Sequence, residues 1–466
     1  MYAEVGAKKL KFFRITITTS IIFLVCLKYG PSTSADEQAK GTELLPQIPT
    51  AQELASPLDP AQGCPNGATS LATAPGYFVP LSDPTLQIVQ TPNDNAPLSH
   101  CHQGVIDAIH GATKSIQMTM FHLTDQAVIQ ELVAAAQRID PKTQKPIQVQ
   151  VILDPTCPDL QRTLATLNKA GIQATASSPC FNMTHEKAFV IDAHSANPTS
   201  FFGAMNMTGE DQLGKTGSIS PPSTGDICES TRDFDVITHD PVIAGDLNRL
   251  FQTDYASAVH TPPYVKGDTC PEPNPPLQSP SLVLSPMNSE AKLVSLIQSS
   301  WNPAPPPGTA MTIQCTAENW GDPAIQKALL AAAANQVHVQ LIAPQCDQNP
   351  DPTYDFDQPK TLPMLIGHDG IEVSAMPAPP SHEKPYQPYM HSKMCRINNS
   401  VTYIGSVNFS VQSTQHNREL GLIFKDTATS GTQLDAAFTK DFAAANPVTT
   451  LPVASKFLEC TKASSP

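Results

Sequence analysis

The feature that most constrains the fold of this chain is an internal duplication. A segment with the spacing His-x-Lys-x4-Asp occurs near residue 185, and a segment with nearly the same spacing occurs near residue 391. The matched positions are His185, Lys187, Asp192, Asn206 and Asp233 in the first copy, and His391, Lys393, Asn398, Asn408 and Glu419 in the second. Three groups of matches in the same order in both halves indicate two copies of one unit.

Each copy is typical of a strand, a turn and a second strand. Residues 188–191 are apolar and partly β-branched, and residues 192–198 are rich in turn-forming side chains. Because side chains alternate between faces along a strand, His185 and Lys187 point to the same side. One such pair is weak evidence of function, since it often lies at the solvated end of a strand. Two equivalent pairs predict a shared site.

Outside these motifs, both halves alternate short strands with amphipathic helices. In the first half we predict strands at 86–89, 115–122, 147–153 and 172–176, with helices at 105–112, 125–137 and 160–170. In the second half we predict strands at 282–284, 312–316, 337–342 and 370–373, with helices at 289–297 and 323–334. This alternation predicts βαβ units and, in each half, a mixed sheet between helices.

The repeated His-x-Lys-x4-Asp pattern, followed by Gly-x-x-Asn, resembles the signature of the phospholipase D superfamily of phosphodiesterases. The second copy departs from it, because Asn398 stands where the family usually has Asp. In the family that Asp is thought mainly to support the site, and the tyrosyl-DNA phosphodiesterases lack it. The resemblance implies an α/β fold of two similar αβα lobes with mixed sheets, related by pseudo-twofold symmetry, with the site between them.

The repeated residues suit the cleavage of a phosphodiester, which needs a nucleophile, a proton donor and stabilisation of negative charge. Two imidazoles can supply the first two, and no metal or cofactor is required. The groups that can hold the phosphate oxygens are Lys187, Lys393, Asn206 and Asn408. The resemblance implies that one histidine forms a phosphohistidine, while the other protonates the leaving alcohol and then activates water.

We predict His185 as the nucleophile and His391 as the acid and base, and the near symmetry of the copies leaves the reverse assignment open. Asp233 and Glu419 fit the role of accepting a hydrogen bond from an imidazole Nδ1–H. The sequence leaves open whether each carboxylate binds the histidine of its own half or that of the other half. Asp192 completes the predicted site.

Three other features have alternative interpretations. The run Ser99-His100-Cys101-His102 offers metal ligands, but no partner cluster follows and Cys101 suits a disulfide. His122 either lines the pocket or packs at its rim. Trp320 either stacks on substrate or packs within a loop.

The N-terminus resembles a secretory signal, with four basic residues before an apolar run at 15–27 that is shorter than the ~20 residues of a membrane span. We predict a signal peptide at 1–35, with an uncleaved anchor as the alternative, and a Pro/Ala/Gln-rich linker at 36–78. The two lobes are predicted at 79–267 and 268–466, divided within the proline-rich segment 261–280.

Cleavage of that signal removes Cys26 and leaves ten of the 11 cysteines, an even number that predicts disulfides in an exported chain. Cys157 and Cys346 follow equivalent strands, so we expect each to form a disulfide within its own half. The predicted location is therefore secreted or periplasmic.

The net charge of −14 argues against a broad nucleic-acid-binding face, although a locally basic cleft remains compatible with it. We predict a phospholipase D-like enzyme that hydrolyses or transfers phospholipid head groups at a membrane surface. It is expected to act as a monomer, because both motif copies lie in one chain. The alternatives are an exported nuclease that uses the same chemistry and a non-catalytic lipid-docking module.

Overall fold

The computed structural model describes residues 76–91, 102–140, 143–208, 231–260, 274–306, 308, 310–344, 362–376 and 389–449. The predicted signal peptide, most of the predicted linker, Cys101, Cys346 and the predicted boundary at 267/268 lie outside these residues. Within them the chain forms two α/β lobes of similar size, each built on a mixed, eight-stranded sheet.

The first lobe contains seven of the described strands in its main path and four helices. The strands are β1 (Gln87–Thr91), β2 (Ser115–Met120), β3 (Gln148–Leu153), β4 (Gln173–Ala176), β5 (Lys187–Ile191), β6 (Thr199–Gly203) and β7 (Thr231–Thr238). The helices are α1 (Gln103–His110), α2 (Gln126–Gln137), α3 (Leu160–Lys169) and α4 (Pro241–Ala256). The strand order is β1-β7-β6-β5-β2-β3-β4, with β2, β3 and β4 parallel.

The second lobe repeats this arrangement. The strands of its sheet are β8 (Leu282–Ser285), β9 (Thr312–Thr316), β10 (His338–Pro344), β11 (Ile371–Met376), β13 (Met394–Ile397), β14 (Val401–Gly405), β15 (Glu419–Lys425) and β16 (Asn446–Pro447), whereas β12 (Tyr389–Met390), from the same half of the chain, is the eighth strand of the first sheet. Its helices are α5 (Ser289–Gln298), α6 (Pro323–Ala334) and α7 (Ala428–Ala444). The order β8-β15-β14-β13-β9-β10-β11 matches the first sheet strand for strand, so the predicted duplication and fold class are confirmed.

Equivalent helices begin in equivalent ways. The Asp125 carboxylate accepts hydrogen bonds from the backbone N–H groups of Ala127 and Val128 at the start of α2. Asp322 does the same for the first turn of α6, which begins with Pro323, a residue suited to that position. These caps fix the point at which the chain turns from the end of β2 or β9 into a helix.

The two lobes share a hydrophobic core. Side chains from both sheets meet in it, including Val190, Phe202 and Phe234 from the first lobe and Leu284, Ile404 and Leu420 from the second. Strand β12 also pairs with β7 of the first sheet. This shared core sets the two sheets against each other and brings the two motif copies together.

Two buried ion pairs also cross between the lobes, and each uses an arginine that directly precedes a motif carboxylate. Arg232 on β7 donates from its guanidinium to Asp441 on α7, at 2.9 Å. Arg418, just before β15, donates to Asp254 on α4, at 2.8 Å. Both arginines are fully buried. The neighbours of Asp233 and Glu419 are therefore fixed by the opposite lobe.

The cysteines differ from the expectation. Cys157 is a free, buried thiol that packs in the core of the first lobe, so the prediction that it forms a disulfide is wrong. Burial raises the pKa of this thiol to about 11. A disulfide instead joins Cys315 on β9 to Cys395 on β13, which are directly opposed in the antiparallel pairing. Cys180 is also disulfide-bonded.

No helix within the described ranges is both long enough and apolar enough to cross a membrane.

Candidate active site

The two motif copies meet where the lobes face each other. His185 lies just before β5, and its backbone N–H donates to the Arg418 carbonyl of the second lobe at 2.9 Å. His391 lies just before β13, and its N–H donates to the Arg232 carbonyl of the first lobe at 3.1 Å. Each histidine is therefore held at its backbone by the opposite lobe.

The orienting carboxylates are exchanged between the halves. The imidazole Nδ1 of His185 lies 2.7 Å from Oε2 of Glu419, and Nδ1 of His391 lies 2.7 Å from Oδ1 of Asp233. A carboxylate at Nδ1 fixes the ring orientation and leaves Nε2 to face the cleft. The question left open by the sequence is thus answered: each carboxylate binds the histidine of the other half.

The environment of His185 favours a neutral imidazole. Burial is the largest factor, and with the positive charges of Lys187 and Lys393 it outweighs Glu419 and lowers the pKa of His185 to about 4. A neutral ring with a hydrogen on Nδ1 has its lone pair on Nε2. That lone pair is what a nucleophilic histidine needs.

The two lysines concentrate positive charge at the same place. Lys187 Nζ donates to the His185 carbonyl at 2.8 Å, and Lys393 Nζ makes the equivalent bond to the His391 carbonyl. Burial, together with the adjacent charge of Lys393, lowers the pKa of Lys187 to about 7. A phosphate anion bound here would relieve the repulsion between the two ammonium groups.

A third carboxylate, Glu318, lies in the site, and the motifs did not predict it. Its Oε2 lies 3.2 Å from Lys393 Nζ and 3.6 Å from His391 Nε2. Tyr389 donates its hydroxyl to Oε1 at 3.1 Å. Burial raises the pKa of Glu318, but the electrostatic effects of its neighbours, led by the charge of Lys393, together outweigh burial and lower it. The carboxylate is therefore ionised.

The corresponding place in the first half is occupied by Phe121. Its ring centroid lies 4.8 Å from that of His185 in an edge-to-face arrangement, and Lys187 Nζ lies 4.8 Å above the same ring. His122 stacks on Phe121 with the centroids 3.8 Å apart. This stacking is compatible with both interpretations of His122. The predicted strand 115–122 also ends earlier, at Met120.

The two amide side chains are placed differently. Asn408 Nδ2 lies 3.5 Å from Glu318 Oε2, and its Oδ1 accepts from the Asn319 N–H at 3.2 Å. The carbonyl of Asn206 lies 3.2 Å from Nε2 of His102. The side-chain Oδ1 of Asn206 is buried without a hydrogen-bond partner among the described residues. Asn408 is therefore part of the charged cluster, and Asn206 presents an unused acceptor.

His102 and Trp320 have structural positions. Nδ1 of His102 binds the Asp125 carboxylate, so both ring nitrogens of His102 are engaged. Across the described ranges, no group of three or more His, Cys, Asp or Glu side chains is arranged to hold a metal ion. Trp320 is fully buried, donates to the Ala317 carbonyl and packs against Phe409, which leaves no face for stacking on a substrate.

Asp192 lies at the far end of β5 from His185, so its place in the predicted catalytic set is corrected. Its carboxylate accepts from the N–H groups of Thr113, Lys114 and Ser115 and from the Thr113 hydroxyl. These bonds fix the turn between α1 and β2, which is a supporting role. Asp192 has a φ of 52°, in the left-handed region that Asp and Asn tolerate.

Asn398 supports the equivalent turn of the second half with different bonds. Its Oδ1 accepts from the Thr312 N–H, and its Nδ2 donates to the Ser300 carbonyl, both at 2.9 Å. Its φ of 51° matches that of Asp192. The Ser300 carbonyl needs a donor, whereas the N–H groups around Asp192 need acceptors. An amide can supply that donor and a carboxylate cannot.

A family model described as "Cardiolipin synthase, PLD-like domain" matches residues 105–255 and 311–442, which together are more than half of the chain. No curated protein sequence matches the chain.

Among solved structures, phosphatidylserine synthase from Haemophilus influenzae is similar, with a TM-score of 0.53 and 11% identity over 82% of this chain and 91% of that one. Polyphosphate kinase from Porphyromonas gingivalis is similar with a TM-score of 0.51 and 15% identity, over 76% of this chain and 50% of that one. This chain therefore spans about half the length of the kinase chain. At these identities the two likenesses show a shared fold.

Proposed function

Because the chain belongs to the phospholipase D superfamily, we propose that it is a phosphodiesterase that hydrolyses or transfers the head group of a phospholipid. The observation that carries this proposal is the arrangement of two histidines, each bound at Nδ1 by a carboxylate of the opposite half, beside two buried lysines. That arrangement supplies a nucleophile, a proton donor and two cations for a phosphate.

In the proposed mechanism, His185 Nε2 attacks phosphorus while the bond to the leaving oxygen breaks. His391 gives its Nε2 proton to that oxygen, and Lys187, Lys393 and Asn408 hold the non-bridging oxygens. His391 then accepts a proton from water or from an alcohol, whose oxygen attacks phosphorus and releases His185. When water attacks, the lipid is hydrolysed to phosphatidic acid. When an alcohol attacks, the original head group is exchanged for that alcohol.

A phospholipid is favoured as the substrate by two observations. The family description names cardiolipin synthase, and one enzyme of similar fold is a phosphatidylserine synthase. The net charge of −14 disfavours long polyanions such as nucleic acid, since their phosphates are held by many Lys and Arg side chains.

The test is a parallel assay of the full chain with vesicles of phosphatidylcholine and phosphatidylglycerol, with and without added glycerol, and with single-stranded DNA. We expect phosphatidic acid from the vesicles, or an exchanged lipid when glycerol is present, as measured by mass spectrometry. A chain with both His185→Ala and His391→Ala is the control. Cleavage of DNA without any change in the lipids would contradict the proposal and favour the nuclease alternative.

We also propose that the chain is exported. The signal-like N-terminus and the Cys315–Cys395 disulfide both suit an oxidising compartment. Free-thiol counting on protein purified under denaturing conditions tests this, and we expect both cysteines to be oxidised. Finding both as thiols would contradict it.

A further inference from the structure

Glu318 and Phe121 occupy the same place in the two half-sites. Met120 is opposite Lys187 in the β2–β5 pairing, and Thr316 is opposite Met394 in the β9–β13 pairing. Ala317 therefore comes opposite Lys393, as Met120 does opposite Lys187. Phe121 directly follows Met120, and Glu318 directly follows Ala317. The duplicated fold therefore holds an aromatic ring beside one histidine and a carboxylate beside the other.

This difference changes the charge around each imidazole. The charged groups that face His391 are Asp233 from β7 at Nδ1, Glu318 from the end of β9 at Nε2, and Lys393 on its own segment. His185 lies across the cleft and also interacts electrostatically with Glu318. His391 therefore stands between two carboxylates.

The charges that face His185 favour the opposite state. One carboxylate, Glu419, binds its Nδ1, and Glu318 acts on the ring without contacting it, whereas the charges of Lys187 and Lys393 both oppose a positive ring. Phe121 covers the ring with an apolar surface. The two rings therefore differ in what lies against them: a carboxylate faces Nε2 of His391, and an aromatic ring lies beside His185.

We infer that Glu318 is a positioning residue for His391: its carboxylate faces Nε2, the nitrogen that gives a proton to the leaving oxygen, so that His391 acts as the acid and His185 as the nucleophile. This inference rests on the proposed function and removes the ambiguity that near-symmetric motifs leave. The distance of 3.6 Å from Glu318 to His391 Nε2 is longer than a hydrogen bond, so the carboxylate acts through its charge and leaves the proton free for transfer. A phosphate that binds Lys393 competes with Glu318 for that lysine. Glu318 then interacts less with Lys393, and His391 remains as its charged neighbour.

In the reaction, the proton on Nε2 of His391 passes to the leaving oxygen as the P–O bond breaks and the P–N bond to His185 forms. His391 is then neutral, and it removes a proton from the attacking water or alcohol in the second step. The original proton state is restored when the P–N bond breaks. Only a leaving group that needs a proton therefore depends on Glu318.

The test compares two substrates that share a phosphatidyl group and differ in the leaving group, namely phosphatidylcholine and phosphatidyl-p-nitrophenol. For Glu318→Gln we expect kcat for phosphatidylcholine to fall about 10- to 100-fold, part of the ~10²–10⁴-fold that general acid catalysis contributes. We expect kcat for the p-nitrophenyl ester to stay within about threefold, because p-nitrophenolate leaves without a proton. KM should not rise, since the variant removes a negative charge near the phosphate.

A variant on the other side of the cleft gives a second readout. The matched variant is Phe121→Leu on the other side, which should slow both substrates by the same factor, since both need the nucleophile.

Three outcomes would overturn the inference. Equal losses on both substrates in Glu318→Gln would indicate a structural role. Faster turnover of both would indicate that the carboxylate blocks the phosphate position. A wild-type chain with no activity on either ester would remove the proposed function and this inference with it, whereas either of the first two results leaves the proposed function standing.

Discussion

The two half-sites have the same frame and different neighbours. In both halves a histidine is held at its backbone by the opposite lobe, its Nδ1 meets a carboxylate from the opposite half, and a lysine bonds to the histidine carbonyl. The halves differ among their neighbouring side chains, and in particular Phe121 faces His185 whereas Glu318 faces His391. The frame places the imidazoles, and we infer that this neighbour gives them different roles.

The supporting shell shows the same contrast. Asp192 accepts four hydrogen bonds from the turn before β2, whereas Asn398 accepts one and donates one at the turn before β9. Both residues adopt the same left-handed backbone. The conformation is therefore shared, and the side chain follows the local pattern of donors and acceptors.

The largest expected effect comes from replacing either histidine. The two replacements should also differ in whether a covalent intermediate forms, which distinguishes the roles of the two halves. We expect His185→Ala and His391→Ala each to slow phosphatidylcholine turnover by at least ~10²–10⁴-fold. With the p-nitrophenyl ester, His391→Ala should form and retain a phospho-enzyme, because no base activates water, and His185→Ala should form none. Intact-protein mass spectrometry after a neutral denaturing quench measures the adduct. An adduct on His391 in His185→Ala, with none in His391→Ala, would show that the roles are reversed.

The next effect concerns the two crossed ion pairs. Removing one partner leaves a buried charge unpaired, so Asp441→Ala and Asp254→Ala should each lower the free energy of unfolding by ~3–5 kcal/mol. Each arginine keeps other acceptors, such as the Thr91 carbonyl for Arg232 and the Ser285 carbonyl for Arg418, so neither variant should unfold the chain outright. Urea denaturation measures both. Asp435→Ala is the control, since Asp435 is 56% exposed and should change stability by only ~0.5 kcal/mol.

A smaller effect is expected from exchanging the two turn-supporting residues. In Asp192→Asn, one carboxylate oxygen is replaced by an N–H₂ group that cannot accept from the backbone N–H groups, and the remaining amide oxygen is a weaker acceptor. In Asn398→Asp, a carboxylate oxygen is placed against the Ser300 carbonyl, to which it cannot donate. Each should lower the free energy of unfolding by ~1–3 kcal/mol. The kcat of folded protein should be almost unchanged. A fall in kcat beyond about tenfold in Asp192→Asn, with stability intact, would return Asp192 to the catalytic set.

The smallest expected effect is a shift in the pH at which kcat/KM falls on the acidic side. The nucleophile must be neutral, and burial lowers the pKa of His185 to about 4, so kcat/KM should fall only as the pH drops through about 4. Phe121→Ala admits water to His185, relieves burial and should move this acidic fall to higher pH by up to about one unit. The same profile in Trp320→Phe, whose site lies outside the cleft, should match wild type. A wild-type fall centred near pH 6 would contradict the description of His185 as buried and neutral.

Much of the fold and site could be predicted because the evidence repeats along the chain. The spacing of each motif pair is local, so both histidines, both lysines and the candidates Asp233 and Glu419 were identified without coordinates. The pairing between them was not, because His185 and Glu419 are 234 residues apart and His391 and Asp233 are 158 apart. A repeat shows which residues correspond, and only the packing of the lobes shows which ones meet.

Glu318 was missed for the opposite reason. It occurs in one half only, and a comparison of the two copies selects what they share. The signal that could have identified it is the position one residue past Ala317 at the end of β9, where the first half has Phe121. Cys157 was misassigned because a matching place after a strand does not fix the direction of a side chain, and this one points into the core.

The crossed carboxylates also carry a historical consequence. Neither half completes its own histidine, so an ancestor of single length had to work as a pair of identical chains, each lending its carboxylate to the other. In such a symmetric pair, any residue placed beside one histidine is placed beside both. Joining the two copies in one polypeptide removed that restriction, and from then on each side could accumulate substitutions of its own. A carboxylate beside one histidine and an aromatic ring beside the other is a difference that two identical chains in a symmetric pair could not have.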